Sequence, residues 1–266
     1  MRSSAHAVPQ PSATVLLLRA AAGAPEIFML LRHARTAFGD VHVFPGGVVD
    51  DNDRGLGDRC YPSGWAQVAG RLLGVDDALA WFSAAIRELF EETGVLLARR
   101  TSEASTPASG AGGAEQARHR LRDGSLMWRD YLERHGLQLD CERLEYFAYR
   151  VTPHTEPRRF ATRFFAAVLP AGQSTGHDGV EHTDSCWMTA VSLLEAERTG
   201  AIRLIYPTYR TLGDIAGFAT VAEVLAWARE RQKTGIARVR PAIVEVDGRD
   251  RVVLPGDPRY PRGECE

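Results

Sequence analysis

Apolar positions recur along this chain with two different periods, and the switches between them predict alternating strands and helices. Short apolar runs at 14–18 and 27–31, joined through Ala20-Ala21-Ala22-Gly23-Ala24-Pro25, predict two strands and a turn. Val41, Val43 and the Phe44 that precedes Pro45 predict a third strand. Further strands are expected at 144–151 and 160–169, with a short one beginning at Trp187. At about 100° per residue, Leu79, Phe82, Ile86, Leu89 and Phe90 gather on one side of a helix. Asp76 or Asp77 offers that helix an N-cap, and Gly94 is placed as its C′ residue. Helical composition returns at 114–135, where Leu121, Trp128 and Leu132 are spaced seven and four apart and Gly136 suits the end. Three more helices are expected, at 191–198, from Pro207 onward and at 221–231. The chain then closes on a hairpin, two apolar runs turning at Asp247-Gly248.

Within the helix around residue 88 the charges break the usual rules. Glu88, Glu91 and Glu92 fall opposite the apolar side, and the last two lie in the final turn before Gly94. Acids at that end face the negative pole of the macrodipole, which costs about 0.3–1 kcal/mol each, and like charges three and four apart add to it. Arg87, four residues before Glu91, is the local relief. A divalent cation held by the three carboxylates would reverse the sign of the arrangement, since magnesium and manganese take hard oxygen ligands. The plainer alternative is a solvated acidic face.

Composition narrows the class. The chain has 266 residues, 44% hydrophobic and 25% charged, enough for one sizeable core. Its 32 basic and 34 acidic residues leave a net charge of −2, without the basic excess of a general nucleic-acid binder. No apolar run reaches membrane-spanning length, and residues 1–12, read as a loose N-terminal arm, lack the apolar stretch of a secretory signal, so a cytoplasmic protein is expected. The four cysteines form no C-x-x-C pair and are expected as free thiols.

Arg87-Glu88-Leu89-Phe90-Glu91-Glu92-Thr93-Gly94-Val95 resembles the second half of the signature of the Nudix hydrolases, and Phe44-Pro45-Gly46-Gly47 resembles the first half. The step from Gly47 to Arg87, 40 positions, is far longer than the family's pattern, and the glutamate that the pattern carries between the halves cannot be placed. Asp50 stands where many members have a glutamate just after the glycines. Residues 152–165 and the closing hairpin resemble the branch that contains coenzyme A diphosphatases, which also has a long insertion at this point. The resemblance spans about residues 13–260.

It implies an α/β protein with the Nudix fold, an α/β/α sandwich whose mixed central sheet carries extra helical insertions. One domain is expected at 13–260, with insertions at about 51–75 and 101–140 and a tail at 261–266. The first insertion reads as a loop, and its neighbour at 101–113, rich in Ser, Ala and Gly, as mobile. The second insertion is expected to lie over the catalytic sheet, where it either shapes the substrate pocket or packs against a twin subunit in a homodimer. The implied activity is hydrolysis of a nucleoside diphosphate linked to another group, with Mg2+ or Mn2+ as cofactor and a small molecule as partner, not nucleic acid or membrane. Coenzyme A or acyl-CoA is the first substrate expected; ADP-ribose, NADH or a nucleotide sugar is the alternative, and a non-catalytic sensing module is the reading from another class.

By the same resemblance Glu88, Glu91, Glu92 and the Gly47 carbonyl are candidate metal ligands, and Arg87 orients the acids. Glu181, in a polar loop, is a candidate base or further ligand, against the reading of a surface acid. His177 and His182 beside it are expected to do nothing special. Arg32 and Arg35, after the second strand, and Arg158 and Arg159, between two later strands, are candidate phosphate binders. The first pair could equally be a solvated loop, and the second could anchor its own loop through carboxylates.

Overall fold

The structure, a computed structural model, describes residues 7–33, 40–101, 103–107 and 113–261. In chain order the first elements are β1 (Gln10–Arg19), β2 (Glu26–Arg32), β3 (His42–Val43), β4 (Gly46–Val48), β5 (Cys60–Tyr61), α1 (Trp65–Leu73) and α2 (Leu79–Thr93). Next come β6 (Ala98–Arg100), β7 (Glu103–Pro107), α3 (Ala114–Arg122), α4 (Trp128–Arg134), β8 (Leu137–Asp140), β9 (Glu145–Val151) and β10 (Phe160–Val168). The chain ends with β11 (His182–Thr189), α5 (Ala190–Arg198), α6 (Tyr206–Ile215), α7 (Val221–Thr234), β12 (Arg238–Val239), β13 (Ala242–Val246) and β14 (Arg249–Val253).

The main sheet runs β11-β2-β1-β10-β9-β12, with β3 on β2 and β4 on β1. It is mixed, because β1 pairs parallel with β10 and β12 with β9 while the other pairs are antiparallel. Alternation along the central strands divides the core. Ala13, Val15, Leu17, Phe165 and Ala167 pack against Phe82, Ile86, Leu89 and Phe90 of α2. From the other face, Leu16, Leu18, Phe164 and Ala166 meet Leu193 of α5, Leu212 of α6 and Val224 and Ala228 of α7. This is the expected sandwich, with α2 as the inner helix of one layer.

The insertions depart from the sequence reading. Between residues 51 and 75 there are two 3-10 turns, β5 and α1 rather than a bare loop. Strand β5 pairs parallel with β8 of the second insertion, so the two segments satisfy each other's backbone in a separate sheet ordered β5-β8-β6-β7. The helix expected at 114–135 is broken by Gly124, whose φ of 74° ends α3 before α4 begins. Part of the stretch expected to be mobile is strand β7; residues 102 and 108–112 lie outside the described ones.

This second layer covers α2 on its far side. Trp128 and Tyr131 of α4 stack on Phe90 at centroid distances of 6.1 and 5.3 Å. Every residue of α2 except Trp81 and Glu88 is buried, so the helix has no solvated acidic face. Neither Asp76 nor Asp77 caps it through a side chain; Asp77 pairs with Arg54 at 2.6 Å instead. Two boundaries also move: β1 begins at Gln10, inside the expected arm, and β11 begins five residues before Trp187; Gly94 closes α2 as expected, with φ 80°.

Candidate active site

Two glycines bring a strand end against the acidic helix. β4 pairs with β1 through Thr14–Gly46 and Ala13–Gly47. A Cβ on Gly46 would collide with the Ala13 carbonyl and Thr14, and one on Gly47 with the Glu88 carboxylate. Only glycine allows so close an approach. The Gly46 amide donates to Glu92 Oε2 at 2.8 Å, which ties the turn to the last helical turn of α2.

Arg87 is the centre of the charged cluster. Its Nε and Nη2 donate to the two oxygens of Asp53 at 3.0 and 2.9 Å, Nη1 donates to Glu88 at 3.0 Å and to Glu91 at 3.2 Å, and Nη2 also reaches the Val48 carbonyl at 3.0 Å. Burial works against the cation, but Glu88, Asp53 and Glu91 outweigh it and hold the guanidinium above its ordinary pKa. Asp53, an acid between the halves of the signature that the sequence reading did not single out, is the bidentate partner of Arg87. It sits at the end of a 3-10 turn, wholly buried, with Ser83 Oγ donating to it at 3.1 Å. No local signal marks it among its acidic neighbours; Asp50, nearer the glycines, lies 3.6 Å from Arg87 and is half exposed.

One guanidinium does not neutralise this many acids. Burial pushes Glu88 up to about 7, with Arg87 opposing and Glu91 adding to the rise. Glu91 and Glu92 are raised too, first by burial; Glu88 adds to the rise of Glu92, against the Gly46 amide. As they stand, the carboxylates point to Arg87 and Gly46, and among the described residues no three acid, thiol or imidazole groups converge to enclose an ion. The donor set nevertheless fits a hard cation: crowded, desolvated oxygens lacking positive charge, beside a glycine that leaves no Cβ between backbone and carboxylate.

The second insertion buttresses the end of this helix. Arg118 of α3 is buried and donates to the carbonyls of Glu91 and Glu92, both at 3.0 Å, where a cation offsets the helix dipole that the acids oppose. Arg122, one turn on, lies 2.9 Å from Asp178. Asp178 accepts from the amides of Val180, Glu181 and His182 at 2.9–3.1 Å; burial alone would raise its pKa, but the His182 side chain and the His182 and Val180 amides outweigh it and hold it well below the usual range. His182, expected to do nothing special, is fully buried between Asp178 at 3.4 Å and Glu92 at 3.7 Å. Glu181 itself is exposed on this tied loop, with its carbonyl accepting from the His33 amide at 2.7 Å.

The four arginines fare differently. Arg32 lines a cavity of about 330 Å³ on the face of the sheet away from α2, walled by Thr14, Phe44, Gly46, Gly47, Arg150 and Ile243 among others. Arg35 lies outside the described residues. Arg158 is exposed. Arg159 is buried and donates to the carbonyls of Ala7, Thr152 and Pro153 at 2.6–3.3 Å, so it anchors its loop, through carbonyls rather than carboxylates.

A mixed sheet whose Pro-Gly-Gly turn closes onto a buried Arg-Glu-x-x-Glu-Glu helix is the arrangement of a Nudix hydrolase, and the chain has the Nudix fold and resembles that family. No protein-family model matches it. Its relatives include the acyl-coenzyme A diphosphatase NUDT19 of Xenopus laevis, 26% identical over 89% of this chain and 71% of that protein, and the human protein of that name, 29% identical over 82% and 68%. A NUDIX hydrolase from Alicyclobacillus acidocaldarius has a similar crystal structure, with a TM-score of 0.66 at 26% identity, covering 82% of this chain and 96% of that one.

Proposed function

We propose that the chain is a divalent-metal-dependent diphosphatase whose substrate is coenzyme A or an acyl-CoA, cleaved to 3′,5′-ADP and the phosphopantetheine part. The observation that carries the chemistry is the excess of buried carboxylate around Arg87, with Glu88 pushed up to about 7 by its surroundings. The names of the relatives carry the substrate. Glu88, Glu91, Glu92 and the Gly47 carbonyl are the groups that would hold Mg2+ or Mn2+. When bound, such an ion supplies neutralisation of the diphosphate and a lower pKa for the attacking water.

The protein's own groups do the rest. Arg87 and Asp53 fix the carboxylates from behind, through the two bonds between them. Glu181 takes a proton from the water as its oxygen bonds to phosphorus, and the P–O bond of the bridge breaks with its electron pair going to the departing phosphate. Arg32, with Arg35 and Arg158, meets the phosphate oxygens.

Incubating the protein with coenzyme A, an acyl-CoA, ADP-ribose, NADH and nucleotide sugars, with and without Mg2+ or Mn2+, tests this. Metal-dependent release of 3′,5′-ADP from the CoA compounds, faster than cleavage of the others, is expected. Preference for ADP-ribose, NADH or a sugar nucleotide would overturn the substrate, and turnover undiminished by chelation would overturn the metal.

A further inference from the structure

On the face of the sheet away from α2, one row of side chains crosses three strands: Ser12 on β1, Thr162 on β10 and Arg150 on β9. Ser12 and Thr162 satisfy each other through a 2.7 Å hydroxyl contact. Arg150 is not satisfied in that way. Its side chain is 11% exposed, Nη2 reaches Asp214 at a long 3.4 Å, and Nε has no hydrogen-bond partner among the described residues. Asp214 is shared with Arg210, which approaches it more closely, at 3.1 Å. A guanidinium is a planar fork of donors, and leaving it this underused in a largely desolvated place is costly.

Arg150 forms part of the wall of the 330 Å³ cavity, which is otherwise largely apolar and reaches Gly46 and Gly47 at the edge of the acid cluster. Burial holds its pKa below the ordinary arginine value, with Asp214 opposing, so an anion delivered there would relieve the residue. A buried arginine, Arg163 on the opposite face, also has an unpartnered Nε, but its guanidinium lies between the rings of Trp81 and Tyr149 at 4.5 and 4.6 Å and donates to the Leu73 carbonyl at 2.8 Å. Among the described residues, the one ring beside Arg150 is that of Phe164, at 5.8 Å. Glu156 also lines the cavity, so the anion must be one that pairs with arginine strongly enough to tolerate an acid in the same wall.

We propose that Arg150 and this cavity form an anion subsite apart from the acid cluster, which takes a phosphate monoester that the substrate carries away from its scissile bridge. Resting on the reading of the substrate as coenzyme A, that group is the phosphate on the ribose. The apolar walls then receive the adjoining part of the same nucleotide. Arg150 is thus a specificity-determining residue that reads the end of the substrate remote from the reaction.

Coenzyme A and dephospho-coenzyme A differ by that phosphate alone, and the ratio of their kcat/KM values is the test. The wild-type protein is expected to favour coenzyme A by roughly tenfold to a hundredfold, the range of a charge-assisted contact, carried mainly by KM. In Arg150→Gln the ratio is expected to collapse toward one, and Arg150→Lys to restore part of it. A wild-type ratio near one, or a ratio that Arg150→Gln leaves intact because both substrates suffer equally, would overturn the subsite. Binding of 3′,5′-ADP against 5′-ADP to the metal-free wild-type protein, by calorimetry, reads the same contact without turnover or a variant. Tighter binding of 3′,5′-ADP supports the subsite, and equal binding overturns it. Cleavage of neither CoA compound alongside a clear 3′,5′-ADP preference would overturn the substrate reading while leaving the subsite standing.

Discussion

Arg87 is buried and Arg150 nearly so, one beneath the acidic helix and one on the far side of the sheet, and they show what completion looks like. Arg87 has two bonds to Asp53, one each to Glu88 and Glu91, and a backbone carbonyl, and its pKa is driven up. Arg150 has one long contact and an idle Nε, and its pKa is driven down. A buried charge costs several kcal/mol unless its neighbours compensate it. Around Arg87 the compensation is finished within the chain and even overshoots toward negative charge. Around Arg150 it is left to something outside the chain.

The overshoot is where the largest effect is expected. If a cation completes the acid cluster as Asp53 completes Arg87, then Glu92→Gln removes one of its oxygen donors and a unit of charge, and kcat/KM should fall by about 10² to 10³. Steady-state hydrolysis at saturating Mg2+ measures it. A loss of only a few-fold would mean that Glu92 is there for the Gly46 amide alone. Next in size is stability. Asp53→Ala leaves Arg87 without its bidentate partner in a place where the guanidinium is only 7% exposed, so unfolding in urea should show a loss of about 3–5 kcal/mol.

Legibility in the sequence followed the same division. The strands, the inner helix and the Asp-Gly hairpin were readable because each has a local cause: a two-residue alternation, a 3.6-residue period, or a turn in which Asp247 and Gly248 both adopt positive φ. Gly46, Gly47, Glu88 and Glu92 were readable as a group because the family signature orders them, and the structure does bring them together. Asp53, Arg118 and His182 were not. Each acts through a partner at least 26 positions away, and nothing local separates Asp53 from the other acids of Asp50-Asp51-Asn52-Asp53. The sequence leaves Arg159 open between phosphate binding and loop anchoring, and its donation to three nearby or N-terminal carbonyls favours the second. The insertions were misread for the same reason: β5 and β8 are strands only because they have each other.

A smaller effect reads the cluster's charge through pH. Glu88 is raised in the folded protein to about 7 from an ordinary 4.5, and Glu91 and Glu92 are raised as well. Between those two values the folded state binds more protons than the unfolded one, so stability falls as pH rises across that window. Asp178 works in the opposite sense, with its contribution lost only in stronger acid, because its folded pKa lies below the unfolded one. The metal-free protein should therefore melt at a lower temperature near pH 7 than near pH 5, and Mg2+ should raise the melting temperature more at the higher pH. A melting temperature that climbs steadily from pH 5 to 7 in chelator would mean that the acids are relieved by Arg87 without further help.

The smallest change is expected where the two arginines are compared directly. Methionine replaces much of the length of an arginine stem without its charge, and exchanging an undercompensated buried cation for an apolar side chain is often neutral or stabilising. Arg150→Met should accordingly move the unfolding free energy by no more than about 1 kcal/mol in either direction, even though Asp214 loses its weaker contact and keeps Arg210. The same exchange at Arg87 would strand Asp53, Glu88 and Glu91 together. If urea unfolding instead shows Arg150→Met to cost as much as breaking the Arg87–Asp53 pair, then the 3.4 Å contact with Asp214 is a finished ion pair, and the cavity beside it has no unmet charge to offer.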